Sequence, residues 1–296
     1  MDSFSISDLA QYSGIKAHTI RIWEKRYQAL KPNRSIGNTR YYDSAQLKRL
    51  LTISGLLHSD YKVSELCTMP DEKLQALTGN NLNAKTNASP EYFISQLIAA
   101  ALTYDEPYFV NIFSHCLLKY GMKDAYLLVL YPALIRIGLM WLSSSIDTSS
   151  EHFISNLIRQ KLFTAIDSLP IPRTGSPTWI LFLPENEFHE IGLLMANYLI
   201  RLSGQKVVYL GGNVPERALL AAIQDVQPEN LLMFFVHRVL PVNIKKYLDR
   251  LSKVADVKKI YIAVNQMLGN QLKSGKKLIF LNSVEELDRQ LTAQTV

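Results

Sequence analysis

Apolar and polar positions follow three different patterns along the chain, and each pattern predicts a different kind of domain. From residue 176 onward, short continuous apolar runs such as WILFL and KVVYL alternate with amphipathic stretches, which is typical of buried parallel strands joined by helices. Between residues 91 and 171 the apolar positions recur at helical spacing, with interruptions near Thr103, Gly121 and SSSIDTSS. The patterns predict a doubly wound, Rossmann-like parallel sheet over 176–296 and a four-helix bundle over 91–171.

The first 76 residues have shorter helical periods and a turn-rich insertion. Ser5 or Ser7 can cap a first helix, Gly14 allows a turn, and a second helix follows in KAHTIRIWEKRYQAL. The segment NRSIGNTRYYD is predicted to form a short hairpin or wing. A stretch rich in Asn at 77–90 lacks apolar periodicity and is predicted to be a linker. The chain is therefore expected to be a multi-domain α and α/β protein with a winged helix-turn-helix head at 1–76.

Composition limits the class of protein. The chain has 296 residues, 48% of them hydrophobic, and a mean hydropathy of +0.01, which is typical of a soluble protein of two or three domains. No apolar run is long enough to cross a bilayer and the N-terminus lacks the pattern of a signal peptide, so we expect a cytoplasmic protein without membrane contact. Cys67 and Cys116 are too few for a disulfide framework or a thiolate zinc site and are expected to be core thiols.

Positive charge is concentrated near the N-terminus. Residues 16–49 contain nine Lys and Arg against two acids, an excess of seven that is larger than the +6 of the whole chain. Ile20, Trp23, Tyr27 and Leu30 share one face of the second predicted helix, while the basic side chains project elsewhere. A basic head on a nearly neutral body is typical of proteins that bind nucleic-acid phosphates, although a solvated basic helix pair has the same composition.

The residues FSISDLAQYSGIKAHTIRIWEKRY and KPNRSIGNTRYYD resemble the winged helix-turn-helix of MerR-type transcription regulators. The resemblance depends on an arginine-aromatic-glutamate core, Arg21, Trp23 and Glu24, and on an arginine-tyrosine pair in the wing, Arg40 and Tyr42. It covers residues 4 to 75 and implies a homo-oligomer on a double-stranded, pseudo-palindromic DNA operator.

The same resemblance assigns roles to individual residues of the head. Residues expected to contact base edges are Thr19 and either Lys16 or His18, and residues expected to position phosphates are Arg21, Arg34, Arg40 and Tyr42. Trp23 and Tyr27 are expected to belong to the core.

A histidine stands in a predicted loop after the first strand of the sheet, in PENEFHEIGLLMANYL. A histidine in such a place is more often structural than a ligand. However, Glu187, His189 and Gly192 form an E-x-H-x-x-G arrangement that, with VVYLGGNVP downstream, resembles the cobalamin-binding fold. The resemblance implies that His189 is the lower axial ligand of cobalt, that Glu187 orients His189, and that Gly192 permits close approach of the cofactor.

The bundle carries a second arrangement, W-x9-E-H, in Trp141, Glu151 and His152. It resembles the segment that covers the upper face of the cofactor in light-responsive, adenosylcobalamin-binding MerR regulators of the CarH, LitR and CarA type. Head, bundle and sheet also follow one another in that family's order. The resemblance implies a repressor whose oligomeric state, dimer or tetramer, changes with cofactor and light.

Other positions depart from that family. Its cobalamin domains carry a serine at the end of the third strand and two glycines after the fourth, which admit the nucleotide tail of the cofactor. Bulkier residues stand in these places here: the third strand ends with Phe234, Phe235, Val236 and His237, and the fourth ends with Val264 and Asn265. Leu142 follows Trp141, where a further upper-face ligand is absent. The larger side chains are expected to obstruct the tail.

Two functional hypotheses therefore stand. The protein is either a cobalamin-sensing repressor, or a MerR-type regulator whose sheet domain has lost cobalamin and serves oligomerisation, another ligand or a protein partner such as an antirepressor. An enzyme is disfavoured, because a cobalamin mutase needs a substrate barrel that no segment of this sequence supplies.

Overall fold

A computed structural model describes residues 4–34, 38–57, 61–74, 76–77, 88–142, 146–235, 244–254, 257–264, 272 and 277–292. The chain divides into two compact units, residues 1–158 and 159–296. The finer division into a head, a linker, a bundle and a sheet domain, with the boundaries given above, stays a prediction.

The first unit begins with the head. Its elements are α1 (Ile6–Ser13), α2 (Ala17–Tyr27), β1 (Asn33–Arg34), β2 (Arg40–Tyr41), α3 (Ser44–Leu56) and α4 (Val63–Thr68). Ser5 caps α1, because its side chain accepts a hydrogen bond from the Asp8 amide while the Asp8 carboxylate accepts one from the Ser5 amide. Gly14 ends α1 with a φ of 72°, a left-handed conformation that favours glycine. The antiparallel pair β1–β2 forms the predicted wing.

The helical bundle follows in the same unit. Its helices are α5 (Pro90–Thr103), α6 (Glu106–Ala125), α7 (Tyr131–Leu142) and α8 (Thr148–Asp167), and a π-helical turn, Tyr126–Leu130, joins α6 to α7. Gly121 interrupts α6 with a φ of 71° and a ψ of 171°, so the predicted breaks near Thr103 and Gly121 are confirmed. The last nine residues of α8 belong to the second unit.

One helical stretch, Glu106–Leu142, is long and apolar enough to cross a membrane by length and composition. The sequence-based statement that no apolar run reaches this length therefore has one exception. The exception is weak evidence for a membrane span, because core helices of soluble proteins pass the same test. In the first unit this stretch buries Phe109, Ile112, Phe113 and Ile137.

The head packs on the bundle within the first unit. Gly55 of α3 lies against α5 so closely that an added Cβ would be 2.5 Å from Nε2 of Gln96 and 2.8 Å from Oγ of Ser95. Arg136 of α7 pairs with Glu91 of α5, with Nη2 2.8 Å from Oε2. Nη1 of Arg136 also donates to the Tyr12 carbonyl of α1 at 3.5 Å, so α1 and α3 of the head both contact the bundle.

The second unit contains a five-stranded parallel sheet. Its strands are β3 (Thr178–Pro184), β4 (Lys206–Val214), β5 (Asn230–Phe235), β6 (Lys259–Val264) and β7 (Leu278–Leu281), in the spatial order β4-β3-β5-β6-β7. The helices α9 (Ile191–Leu202), α10 (Glu216–Val226), α11 (Ile244–Ser252) and α12 (Val284–Thr292) connect or follow the strands. All five predicted strands and the doubly wound topology are confirmed.

Burial in the second unit follows strand alternation. Ile180, Leu231, Met233 and Ile260 point to one core that includes residues of α10 and α11.

The two cysteines are buried in the first unit, as expected. Burial raises the pKa of the Cys116 thiol to about 12, which is consistent with a core residue.

Candidate DNA-binding and cofactor sites

The residues expected to contact DNA are mostly at the surface of the head. Lys16, His18, Arg21, Arg34 and Arg40 are exposed, and Thr19 is half-buried on α2. Helix α2 keeps its apolar side inward, because Ile20 and Trp23 are buried. The head therefore presents basic side chains from α2 and from the wing, an arrangement suited to phosphate contacts beside a major-groove helix.

Tyr42 differs from its predicted role as a phosphate contact. It is fully buried, its hydroxyl donates a hydrogen bond to Glu24, and its backbone pairs with Phe4. Burial, with the Glu24 carboxylate, raises the pKa of Tyr42. Tyr42 thus supports the packing of the wing, and the prediction that it reaches a phosphate is wrong for this conformation. The half-buried Tyr41 is the more exposed of the two tyrosines.

The loop between β3 and α9 places His189 at the carboxyl edge of the sheet. The Nδ1 of His189 lies 2.6 Å from Oε1 of Glu187, and the same oxygen accepts hydrogen bonds from the amides of Phe188 and His189 at 2.9 and 3.1 Å. The Glu187 side chain is only 4% exposed, whereas that of His189 is 58% exposed. Because a carboxylate only accepts, the contact with Glu187 requires a proton on Nδ1, and in the neutral ring this tautomer has its lone pair on Nε2.

Backbone hydrogen bonds tie this loop to the end of β4. The Asn213 amide donates to the Glu187 carbonyl at 2.9 Å, and Oδ1 of Asn213 accepts from the Asn186 amide at 2.9 Å. Asn186 and Asn213 both have left-handed φ values, 68° and 54°, which asparagine tolerates better than most residues. The orientation of His189 therefore depends on β4 as well as on Glu187.

Glu190 forms a second anchor that the sequence analysis missed. Its Oε1 accepts from the Gly212 amide at 2.9 Å, and its Oε2 accepts from Nη2 of Arg159 at 2.5 Å. Burial raises the pKa of Tyr209, and the neighbouring Glu190 carboxylate adds to that effect. An added Cβ on Gly211 would lie 2.9 Å from Oε1 of Glu190, which explains a glycine there. Gly211 and Gly212 of β4 thus leave room for the Glu190 carboxylate.

Gly192 lies in the first turn of α9 under the ring of Phe234. An added Cβ at Gly192 would be 2.8 Å from Cε1 and 3.1 Å from Cδ1 of that ring. Phe234 is the penultimate residue of β5 and is half-buried, whereas its neighbour Phe235 is buried in the opposite core. Of the bulky residues expected to obstruct a tail, Phe234 is therefore the one placed beside the histidine motif.

Of the other residues that differ from the family's cobalamin domains, the structure describes some and not others. Val264 ends β6 and is buried in the same core as Phe235. Val236, His237 and Asn265 lie outside the described residues.

In the first unit, Trp141 is brought to the first turn of α8. Its Nε1 donates to Oγ1 of Thr148 at 2.8 Å, and Trp141 is 46% exposed, so it is not a core residue of the bundle. Oε1 of Glu151 accepts from Oγ of Ser155 at 2.5 Å, and its Oε2 lies 3.3 Å from Nδ1 of His152. The three residues of the W-x9-E-H arrangement therefore occupy one end of the bundle.

Tyr104 is a further residue of that end, and nothing in its local sequence indicated it. Its hydroxyl lies 2.7 Å from Oγ of Ser149, and its ring packs edge-on against Phe153 at 5.4 Å.

In the described part of the chain, no group of three or more His, Cys, Asp or Glu side chains could hold a metal ion. A bare metal site is therefore not supported there. A single histidine with a buried carboxylate behind it suits a metal that a macrocycle already holds and that takes one axial ligand from the protein.

Comparison with known families assigns the two helical regions. Residues 4–71 match the model of the MerR HTH family regulatory protein, and residues 93–165 match the model of the B12 binding domain. The chain joins a MerR helix-turn-helix domain to a B12-binding helical domain. The resemblances noted for the head and for the bundle are thereby confirmed.

Two curated relatives from Myxococcus xanthus are similar over most of this MerR-type chain. The HTH-type transcriptional repressor CarH is 27% identical over 231 residues, which cover 77% of each protein. The HTH-type transcriptional repressor CarA is 28% identical over 251 residues, which cover 82% of this chain and 80% of CarA. This chain is accordingly a DNA-binding transcription regulator with a B12-binding domain.

A solved structure supports the fold. The monomethylamine corrinoid protein of Methanosarcina barkeri matches with a TM-score of 0.56 and 14% identity, over 69% of this chain and all of that protein. At that identity the likeness shows a shared fold alone.

The residues of the sheet edge fit a corrinoid in one respect and not in another. The pair of His189 and Glu187 fits an axial ligand to cobalt with its second-shell carboxylate. The ring of Phe234 against Gly192 does not fit a bulky appendage beside that histidine.

Proposed function

We propose that this MerR-type protein represses transcription and that a corrinoid bound through His189 controls its affinity for the operator. The observation that carries the proposal is the buried Glu187 carboxylate, which holds Nδ1 of His189 at 2.6 Å at the carboxyl edge of the sheet. Burying an unpaired carboxylate is costly, so Glu187 is best explained as a group that orients the histidine.

The DNA-binding part of the proposal uses the exposed cations of the head. Two heads of a homo-oligomer, dimer or tetramer, place α2 in successive major grooves of a double-stranded operator. Lys16, His18 and Thr19 contact base edges, and Arg21, Arg34 and Arg40 contact phosphates.

The control part uses residues from both helical and sheet regions. Glu187, His189 and Gly192 are proposed to contact the lower side of the cofactor, with His189 as the cobalt ligand. Trp141, Glu151 and His152 are proposed as further cofactor contacts, and the exposure of Trp141 and His152 supports that role. A bound adenosylcorrinoid supplies a cobalt–carbon bond that light can cleave, and the family resemblance favours adenosylcobalamin as the starting hypothesis.

The test is a titration of the full chain with adenosylcobalamin in the dark, followed by illumination. The proposal predicts a change in the cobalt absorption spectrum that depends on His189, and a change in oligomer size on illumination. His189→Ala should lose the spectral change, whereas His115→Ala, which alters a half-buried histidine on α6, should keep it. Wild-type protein that shows neither a spectral nor a size change would contradict cobalamin control.

A second function is favoured by the contact between Phe234 and Gly192. In that alternative the protein is a MerR-type regulator independent of cobalamin, and its sheet unit mediates oligomerisation or binds another ligand or a protein antirepressor. It predicts operator binding that no corrinoid alters.

We also infer that the protein acts in the cytoplasm and is not an enzyme. The support is the pair of curated relatives, both of which are transcriptional repressors.

A further inference from the structure

The order of the strands creates a crevice next to the histidine loop. The chain passes from β3 to β4 on one side and returns to β5 on the other, so the spatial order β4-β3-β5 has a topological switch point between β3 and β5. Loops after the two strands diverge there, and ligands of such sheets enter the gap. One wall of the gap carries His189 and Gly192, and the other is the end of β5.

Phe234 occupies this crevice. Its backbone pairs with Ala263 of β6, and on the other side of β5 the register with β3 extends to the preceding residue, Met233. Three atoms of its ring lie within 4 Å of the position of a Cβ on Gly192, so the ring rests on the bare backbone of α9. The ring already fills this place, so a further group could enter only if the ring moved, which a packed interior resists.

A corrinoid has two separate requirements at this site. Its cobalt must reach the imidazole of His189, and any lower substituent must fit in the space beside that imidazole. His189 can donate its Nε2 lone pair to a metal without any change at Phe234, because the His189 side chain is 58% exposed. A long substituent on the lower face of the macrocycle must pass beside the imidazole and enter the crevice. The first requirement is met in this structure and the second is not.

We propose that the corrinoid bound by this protein lacks the lower nucleotide tail, and is thus of the cobinamide class. The inference rests on the proposed corrinoid control and narrows its ligand. Phe234 is then the specificity-determining residue: it selects against complete cobalamins, whose tail it excludes, and leaves coordination by His189 untouched.

The experiment compares aquocobinamide with hydroxocobalamin on the full chain. Wild-type protein should bind aquocobinamide with a spectral shift that marks imidazole ligation, at least about tenfold more tightly than it binds hydroxocobalamin, a ratio equivalent to 1.4 kcal/mol. Phe234→Ser should bring the two affinities within a factor of about three. Phe234→Leu, which keeps most of the bulk, should retain the preference, and His189→Ala should lose the shift.

The outcomes separate the two proposals. Equal binding of both corrinoids through His189 in wild-type protein would overturn the selection by Phe234 and leave corrinoid control standing. Failure of wild-type protein to bind either corrinoid would overturn both. If Phe234→Ser fails to fold, as urea unfolding would reveal, the wild-type ratio and Phe234→Leu still decide the question.

Discussion

The two sides of β3 treat the same histidine loop differently. On the β4 side, polar groups hold the loop: Asn213 and Gly212 donate backbone hydrogen bonds to Glu187 and Glu190. On the β5 side an aromatic ring packs on Gly192 without polar contacts. The members of one sequence motif thus serve separate purposes. Here the histidine and its carboxylate keep a ligand's geometry, while the protein's own side chain occupies the space that the glycine provides.

Glu187 is the residue of the polar side on which corrinoid affinity should depend most. Glu187→Gln keeps the shape of the side chain but removes the charge that orients His189, so corrinoid affinity should fall about 10- to 100-fold. The measurement is a titration followed by cobalt absorbance. Glu185→Gln is the matched control, because Glu185 is an exposed acid of the same loop and should leave affinity unchanged. An affinity that Glu187→Gln leaves intact would show that the carboxylate does not serve the ligand.

The apolar side is tested by a double-mutant cycle that needs no ligand. Gly192→Ala should lower the free energy of unfolding by about 2 kcal/mol, because the added Cβ overlaps the Phe234 ring. In a Phe234→Ala background the same change should have little effect, which gives a coupling of about 1–2 kcal/mol. Urea unfolding of the four proteins measures it. Equal losses of unfolding free energy in the two backgrounds would show that the Phe234 ring does not pack on Gly192.

Much of the fold could be predicted from local patterns. Periodicity identified the bundle and the five strands, and Ser5, Gly14 and Gly121 act as the cap, turn and break expected of them. These features are set by neighbours within a few residues, which a sequence displays directly.

Long-range pairings limited the prediction of the sites. Tyr42 was expected at a phosphate because its burial depends on pairing with Phe4, 38 residues earlier in the chain. The partners of Glu190, Arg159 and Gly212, are 31 and 22 residues away. Likewise, whether Phe234 or Phe235 contacts Gly192 depends on which face of the sheet α9 covers. None of these relations is visible in a local pattern.

Two helical glycines of the first unit differ in the space around them, since Gly55 is closely packed and Gly138 is not. Gly55→Ala should destabilise the protein by about 1–2 kcal/mol, because overlap with Gln96 and Ser95 outweighs the gain in helix propensity. Gly138→Ala should stabilise α7 by about 0.5–1 kcal/mol, because nothing lies within 4 Å of the new Cβ. Thermal unfolding measures both, and the same sign for the two variants would contradict the packing of α3 on α5.

The head gives the smallest expected effect, and it too contrasts an exposed with a buried residue. Arg21→Ala should reduce the slope of log affinity for DNA against log salt by about one, since one phosphate contact is lost. Tyr42→Phe should leave that slope unchanged, because the hydroxyl contacts only Glu24 among the hydrogen bonds found here. Fluorescence anisotropy with duplex DNA over a range of salt measures both slopes. A change with Tyr42→Phe would restore its predicted phosphate contact.

Control of DNA binding through His189 is tested most directly by measuring operator affinity of the full chain with and without corrinoid. Aquocobinamide and adenosylcobalamin are each added to wild-type protein and to His189→Ala, in the dark and after illumination with the adenosyl form. We predict that corrinoid changes the affinity of wild-type protein and leaves that of His189→Ala unaltered. Wild-type affinity that neither corrinoid changes, with DNA binding otherwise intact, would contradict corrinoid control.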